Sequence, residues 1–478
     1  MTDPNLDNRQ PNGPVETHFY ASETEDSHVG IPPETVNAVI AALDVNANQR
    51  VCELMAPLHF ADAADLFEAL DADQRRQLLE AAQDVLDPDF YSSLDETVRD
   101  EALDVIGLDA VAVTVAGLDI DDAVEIVDEL EAHEQEHVLN AIPAADRTLI
   151  EEGLAYPEYS AGRLMQRKVM TVPNFWTVGE TIDFMRASVD VVERAHPNVF
   201  YDIIVVDPKH MPMGAIPLSV VLQSKRPVTV SDIMHEEMRL IPVDMDQEEV
   251  AFLFRQRDLV SAPVVSSAGR LVGMITIDDV VDVMHEEAED DIMRMGGLRE
   301  DDLYAATIDT TKSRFLWLFV NLLTAILASS VIGFFQGTIE QVVALAVLMP
   351  IVASMGGNAG TQTLTVVVRA LATKELTTTN ALRQIGKEFL VGGINGVLFA
   401  VLMGGVAWFW FESPKLGLVI GLAMITNMLV AGVAGAAIPI FLERRGVDPA
   451  LASSVFLTTV TDVVGFLVFL GLGAAILL

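Results

Sequence analysis

The apolar positions of this chain change character along its length. From Gly30 to Ala155, Leu and Val recur at helical spacing with acidic residues on the opposite face, which predicts amphipathic helices. Within that region the run Ala61–Leu70 resembles Asp121–Leu130 at an offset of 60. A small superhelix of helical repeats follows from that spacing. Residues 159–226 and 228–291 form a second repeat. Arg163-Leu164-Met165 aligns with Asp232-Ile233-Met234 at an offset of 69, whereas Gly214-Ala215-Ile216 aligns with Gly273-Met274-Ile275 at 59. The first copy therefore carries about ten extra residues, placed between its helix and the next strand. Each copy reads as strand, helix, strand, strand, helix. Beyond them lie five apolar stretches: Phe315–Phe335, Val342–Leu364, Phe389–Phe411, Leu416–Phe441 and Leu451–Leu478. Each holds the roughly 20 mostly apolar residues that a membrane-spanning helix needs.

Charge divides the chain at the same place. From Lys312 onward there are nine basic and seven acidic residues, which leaves 20 basic and 63 acidic residues before it. A net of −43 on the first 311 residues repels nucleic acid and attracts cations. That surface suits either a high-salt medium or a divalent-cation sensor. Of the nine late basic residues, only Lys415 falls on one side of the five spans; the other eight fall on the opposite side. Basic loops stay inside, so the N-terminal part is expected in the cytoplasm, at the cell membrane, with the C-terminus outside. The lone Cys52 excludes an intramolecular disulfide. Residues 1–29 are polar, lack the pattern of a signal peptide, and are expected to be disordered.

Asp462 is the main candidate for chemistry. It is expected to be the one acid well inside a span, the other six late acids lying in loops or near segment ends. An ionisable group at that depth normally faces a bundle interior or a water-filled path. The alternative is a packing Asp bonded to Thr458, Thr459 or Thr461. Pro350–Gln362 is a second candidate: Pro350, Gly356, Gly357 and Gly360 are expected to break or loosen the helix, with Asn358, Thr361 and Gln362 supplying oxygens to a path. Between the second repeat copy and the first span, Asp278, Asp279, Asp282, Glu286, Glu287, Glu289, Asp290 and Asp291 crowd one helix. Hard cations prefer such oxygens. Mutual repulsion would hold two such helices apart, and a bound cation would draw them together. Asp121 and Glu125 form an i, i+4 acidic pair that should repel without a cation. No Walker loop, Cys/His cluster or nucleophile elbow points to an enzyme.

The paired repeat resembles a tandem of cystathionine-β-synthase-type (CBS) domains, which implies a regulatory unit and a candidate ATP site. The whole chain resembles the MgtE family of magnesium channels. The segments that carry the likeness are Tyr156–Met165, Ile277–Val283 with the following acids, Ala353–Gln362 and Asp448–Phe466. The resemblance implies a multidomain fold: tail 1–29, α-helical superhelical N-domain 30–158, α/β CBS domains 159–226 and 227–284, acidic connecting helix 285–311, and an all-α membrane domain of five transmembrane helices, 312–478. It implies a homodimer in the lipid bilayer, with Asp462 from each subunit in a Mg²⁺ path lined by Asn358, Thr361 and Gln362. It implies regulatory Mg²⁺ at Asp279, Asp282, Glu287, Asp290 and Asp291, with Asp246, Glu248 and Asp258 in the second CBS unit, Asp448 at the cytoplasmic mouth, and Asp121 and Glu125 in the N-domain. A broader divalent-cation transporter, or a tethered CBS sensor without transport, are the competing readings.

Overall fold

The structure, a computed structural model, describes residues 30–187, 200–298, 307–377 and 379–478. The expected tail, 1–29, lies outside them, as does most of the extra stretch in the first CBS copy, and residues 299–306 of the expected connecting segment.

Ten helices build the N-terminal region: α1 Pro33–Asp44, α2 Asn48–Met55, α3 Phe60–Glu68, α4 Ala72–Ala82, α5 Asp89–Ser92, α6 Glu96–Ile106, α7 Leu108–Val115, α8 Ile120–Glu129, α9 Ala132–Ala141 and α10 Ala144–Leu154. They fall in two compact units. Among the described residues, those up to Leu94 with Glu101–Gly107 form one, and Asp95–Asp100 with those from Leu108 onward form the other. In the first, Phe67 and Phe90 meet edge to face at 5.4 Å. In the second, α10 reaches α8 through Gly153, where a Cβ would strike Val124. The 60-residue period extends to the helix starts. Asp71 and Gln74 close a capping box at α4, and Glu131 and Glu134 close one at α9. Each box satisfies backbone donors that a helix start leaves orphaned.

The next segment is α/β. After a short α11 (Ala161–Leu164), the first copy runs β1 Thr171–Pro173, α12 Val178–Ala187, β2 Asp202–Val206, β3 Pro212–Pro217 and α13 Leu218–Gln223. The second runs β4 Ile241–Pro242, α14 Gln247–Arg257, β5 Ser261–Val265, β6 Leu271–Thr276 and α15 Ile277–Gly296. In each sheet the first strand pairs parallel with the second and the second antiparallel with the third. Both central strands break register at equivalent points, Val205/Val206 and Val264/Val265. The copies interlock reciprocally: Gln166 bridges to Met274 while His235 bridges to Ala215, and Ser160 bridges to Asp246 while Thr229 bridges to Thr177. These pairs reproduce the offsets of 69 and 59, so the repeat is a pseudo-twofold dimer within one chain. Ile204, Val206, Leu271 and Met274 form the shared core between the sheets. The helix α15 runs unbroken through the expected boundary at 284/285, because Val280 and Val283 bury against the second copy while the acids beyond carry the same helix onward.

Among the described residues, five helices are long and apolar enough to cross a membrane: Thr310–Phe334 within α16 (Thr307–Phe334), Ala344–Ala372 (α18), Ala381–Phe411 (α19), Pro414–Glu443 (α20) and Ser454–Leu477 within α21 (Pro449–Leu477). A short α17, Gln336–Gln341, links the first two. The fourth, α20, is the most enclosed. It packs closely on α19 because Gly392 sits under the Met428 carbonyl, where a Cβ would stand 2.6 Å from the oxygen. The expected break at Pro350–Gln362 is absent: α18 is continuous, with Pro350 inside it. Gly356 and Gly360 serve close approach instead, a Cβ on either striking Asn427 or Leu457.

Candidate functional site: ion path and acidic clusters

Asp462 lies half-buried near the middle of the 29-residue α21. A hydroxyl has one hydrogen to donate. Those of Thr458, Thr459 and Thr461 go to backbone carbonyls of their own helix, at Ser454, Val455 and Leu457. None of the three serves the Asp462 carboxylate, so the packing reading loses its expected donors. Asn358 lies near the middle of the 29-residue α18, which packs directly on α21 at Gly360 and Leu457. Ser354, Asn358, Thr361, Gln362 and Thr365 are exposed in the single chain. Their spacing of four, three, one and three residues puts them on one face. A polar face at that depth needs protein or water against it rather than lipid.

Glu388 is a correction. It is not at a span end, because α19 begins at Ala381, eight apolar-poor residues before the stretch the sequence suggests. Its side chain is buried between helices, accepting from Thr363 Oγ1 and Gln384 Nε2, both at 3.1 Å. Asn427, the amide in the middle of α20, was also missed. It is 0% exposed and donates to the Val352 carbonyl at 2.8 Å. The signal was present, as one amide within Leu416–Phe441, but a search for charge passes over it.

Outside the bundle the acids gather into three groups. In the first, Asp121 of α8 faces Asp279 of α15. Burial and then the Asp279 charge push the Asp121 carboxyl well above its ordinary range, and its Oδ1 is buried with no hydrogen-bond partner. Asp279 is raised to about 6, mainly by burial, although Thr276 donates to it at 2.8 Å. Burial followed by neighbouring acids, Glu125 among them, also raises Asp282 and Glu286. Glu125 does not wait for a cation as expected. Arg99 donates to it at 2.7 Å and also pairs with Glu129, so a tethered guanidinium already occupies that end of α8.

The second group joins α14 to α15. Glu248 is raised by burial, then by Glu287, Asp246 and Asp291, against the relief of Lys374. Gln247 donates to Glu287 at 3.0 Å. Asp258 stands at the far end of α14 from Asp246, where its φ of +52° closes the helix. The third group ties α15 to α21. Arg294 pairs with Asp290 and donates to Asp448 at 2.7 Å. Asp448 in turn caps α21 by accepting from Ala450 at 2.7 Å. Burial and then the Asp448 charge raise Asp291 to about 6. Among the described residues no three His, Cys, Asp or Glu side chains converge enough to hold a metal ion outright. The donors are oxygens at looser spacing, which fits an ion that keeps its waters.

Residues 349–472 match the family described as divalent cation transporter, MgtE. Residues 58–159 match the MgtE intracellular N domain, and 230–286, the second copy alone, match the CBS domain. The magnesium transporter MgtE of Thermus thermophilus is 34% identical over 364 residues, covering 75% of this chain and 79% of that one. That of Bacillus subtilis is 27% identical over 417 residues, covering 87% and 91%. A solved structure, the cytosolic domain of the Mg²⁺ channel MgtE in complex with ATP, is 26% identical, covers 52% of this chain and 99% of its own, and has a TM-score of 0.47. With a third of positions shared across four-fifths of a relative, the chain belongs to the MgtE family of magnesium transporters.

Proposed function

We propose that two copies of this chain form one Mg²⁺ path through the membrane, and that Mg²⁺ bound to the acids of α15 closes it. The carrying observation is the polar face of α18, exposed at mid-depth in a single chain beside the helix that holds Asp462. Lipid cannot satisfy those groups. A second copy can cover them and leave water between, with one Asp462 carboxylate from each. A ring of acids facing a largely hydrated divalent ion is a physically sufficient filter.

The closing device is electrostatic. Asp121 against Asp279, and Glu248 against Glu287 and Asp291, hold like charges in partly dry surroundings. A divalent ion removes that repulsion and favours the drawn-together arrangement. The acid-bearing helix meets the bundle at Asp448, beside the basic loop of Arg444 and Arg445. That placement supports a cytoplasmic soluble part and an external C-terminus.

Purified protein in liposomes tests the reading by Mg²⁺ uptake. Wild type conducts, and Asp462→Ala loses uptake by roughly tenfold or more while dimers persist. Dimers of the wild type that take up no Mg²⁺ would turn the reading to a tethered sensor.

A further inference from the structure

The middle of the bundle holds a buried amide that the ion path does not use. Asn427 lies near the midpoint of the 30-residue α20, as Asn358 does in α18 and Asp462 in α21. Its Nδ2 is bonded to the Val352 carbonyl of α18 at 2.8 Å. Its Oδ1 is buried and has no hydrogen-bond partner. Two glycines make the space it fills. A Cβ on Gly356 of α18 would collide with the amide nitrogen, and one on Gly465 of α21 would stand 2.9 Å from it. Gly356 is two residues before Asn358, and Gly465 is three residues after Asp462.

An apolar bundle has no need of this side chain for cohesion. Leu has the same branched skeleton as Asn, with bulkier ends, and leaves no acceptor unsatisfied, whereas an unpaired buried oxygen is a net penalty. What a buried polar group supplies is a unique register. We infer that Asn427 is a positioning residue for selectivity: its amide is a wedge of fixed size that sets the spacing of α18 and α21, and thereby of Asn358 and Asp462. The wedge holds α18 through a hydrogen bond to its backbone and bears on α21 at the one turn where Gly465 leaves room. Its amide makes no hydrogen bond to Asn358 or Asp462, so its effect on the ion passes through helix spacing.

The inference rests on the transport reading and is tested in the same proteoliposomes, by measuring Mg²⁺ and Ca²⁺ fluxes side by side. Ca²⁺ is larger and accepts more variable coordination, so it reports a change in spacing. Asn427→Leu and Asn427→Ala are expected to form dimers that still conduct, with the Mg²⁺ over Ca²⁺ ratio reduced roughly tenfold, the size of one lost neighbour coupling. Gly356→Ala alone should lower the ratio likewise, because the wedge and the new methyl compete for one space. Combined with Asn427→Ala it should recover more than half of the loss. A merely structural residue would change yield without changing the ratio. Assembled Asn427 variants with the wild-type ratio, or a Gly356→Ala defect that Asn427→Ala does not relieve, would overturn the inference. Should the Asn427 singles not assemble, the Gly356→Ala pair decides alone. A wild type that conducts nothing would instead remove the transport reading.

Discussion

Glu388 shows what a single carboxyl can do between spanning helices. It joins α19 to α18 by taking the Thr363 hydroxyl immediately after the polar residues Thr361 and Gln362. Glu388→Gln keeps an acceptor there, and the variant should melt in detergent near the wild-type temperature. Glu388→Leu leaves the Thr363 hydroxyl to find another acceptor and should cost about 0.6 kcal/mol, the average for such bonds in a membrane bundle, and no more than about 1.7 kcal/mol. Equal melting of both variants would show that the bond contributes nothing. Asp279 and Asp291 make a prediction about pH. Both are raised to about 6, against roughly 3.9 for a free Asp. The folded chain therefore holds protons that the unfolded chain releases, and stability rises as pH falls from about 7 towards 4. Mg²⁺ must displace those protons, so its binding should release more of them at pH 6 than at pH 8. Calorimetry in two buffers of different ionisation enthalpy reads this directly, and buffer-independent heat at pH 6 would remove both residues from the ligand set. Asp462 was legible in the sequence because a charge inside an apolar run stands out. Glu388 was not, since hydropathy ends the span at Phe389 while the helix continues back to Ala381 on residues that a neighbouring helix satisfies.

At the scale of elements, α15 carries the most consequence. It starts on the last strand of the second CBS copy and ends at Gly297, whose φ of +71° closes the helix and where a Cβ would stand 3.2 Å from the Trp317 ring of α16. Its acids are distributed over contacts with α8, α14 and α21. Replacing Asp279, Glu287 and Asp291 together by their amides should leave uptake open at internal Mg²⁺ that closes the wild type. Normal closure by the triple variant would place the sensor elsewhere. The helices and strands follow from periodicity, and the repeat offsets were enough to align both copies down to the reciprocal bridges between them. The unbroken α18 could not be read that way. Pro350 and three glycines weaken a helix in isolation; here Gly356 and Gly360 are held in place by Asn427 and Leu457, partners more than 60 residues away in sequence.

For the whole molecule, the charge of −41 acts in two ways that experiment can separate. General repulsion is screened by any salt, because the Debye length falls to about 3 Å at 1 M. Clustered acids on partly buried helices respond instead to a divalent ion. Molar KCl and millimolar MgCl₂ should both raise the melting temperature of the soluble part, yet only MgCl₂ should stop uptake. Closure by KCl alone would mean that the acids act as a diffuse field and not as sites. Arg294 clasps Asp448, the residue that begins the helix bearing Asp462, from the far end of α15. A 20-residue helix is a rod of about 30 Å, so a tilt of about 5° at its CBS end sweeps the Arg294 end through roughly 2.6 Å. That is close to the diameter of a water molecule. The clasp thus sits at the long end of a lever: on the proposed reading, a tilt too small to unfold anything in the CBS pair would move the start of α21 by about the width of one water molecule.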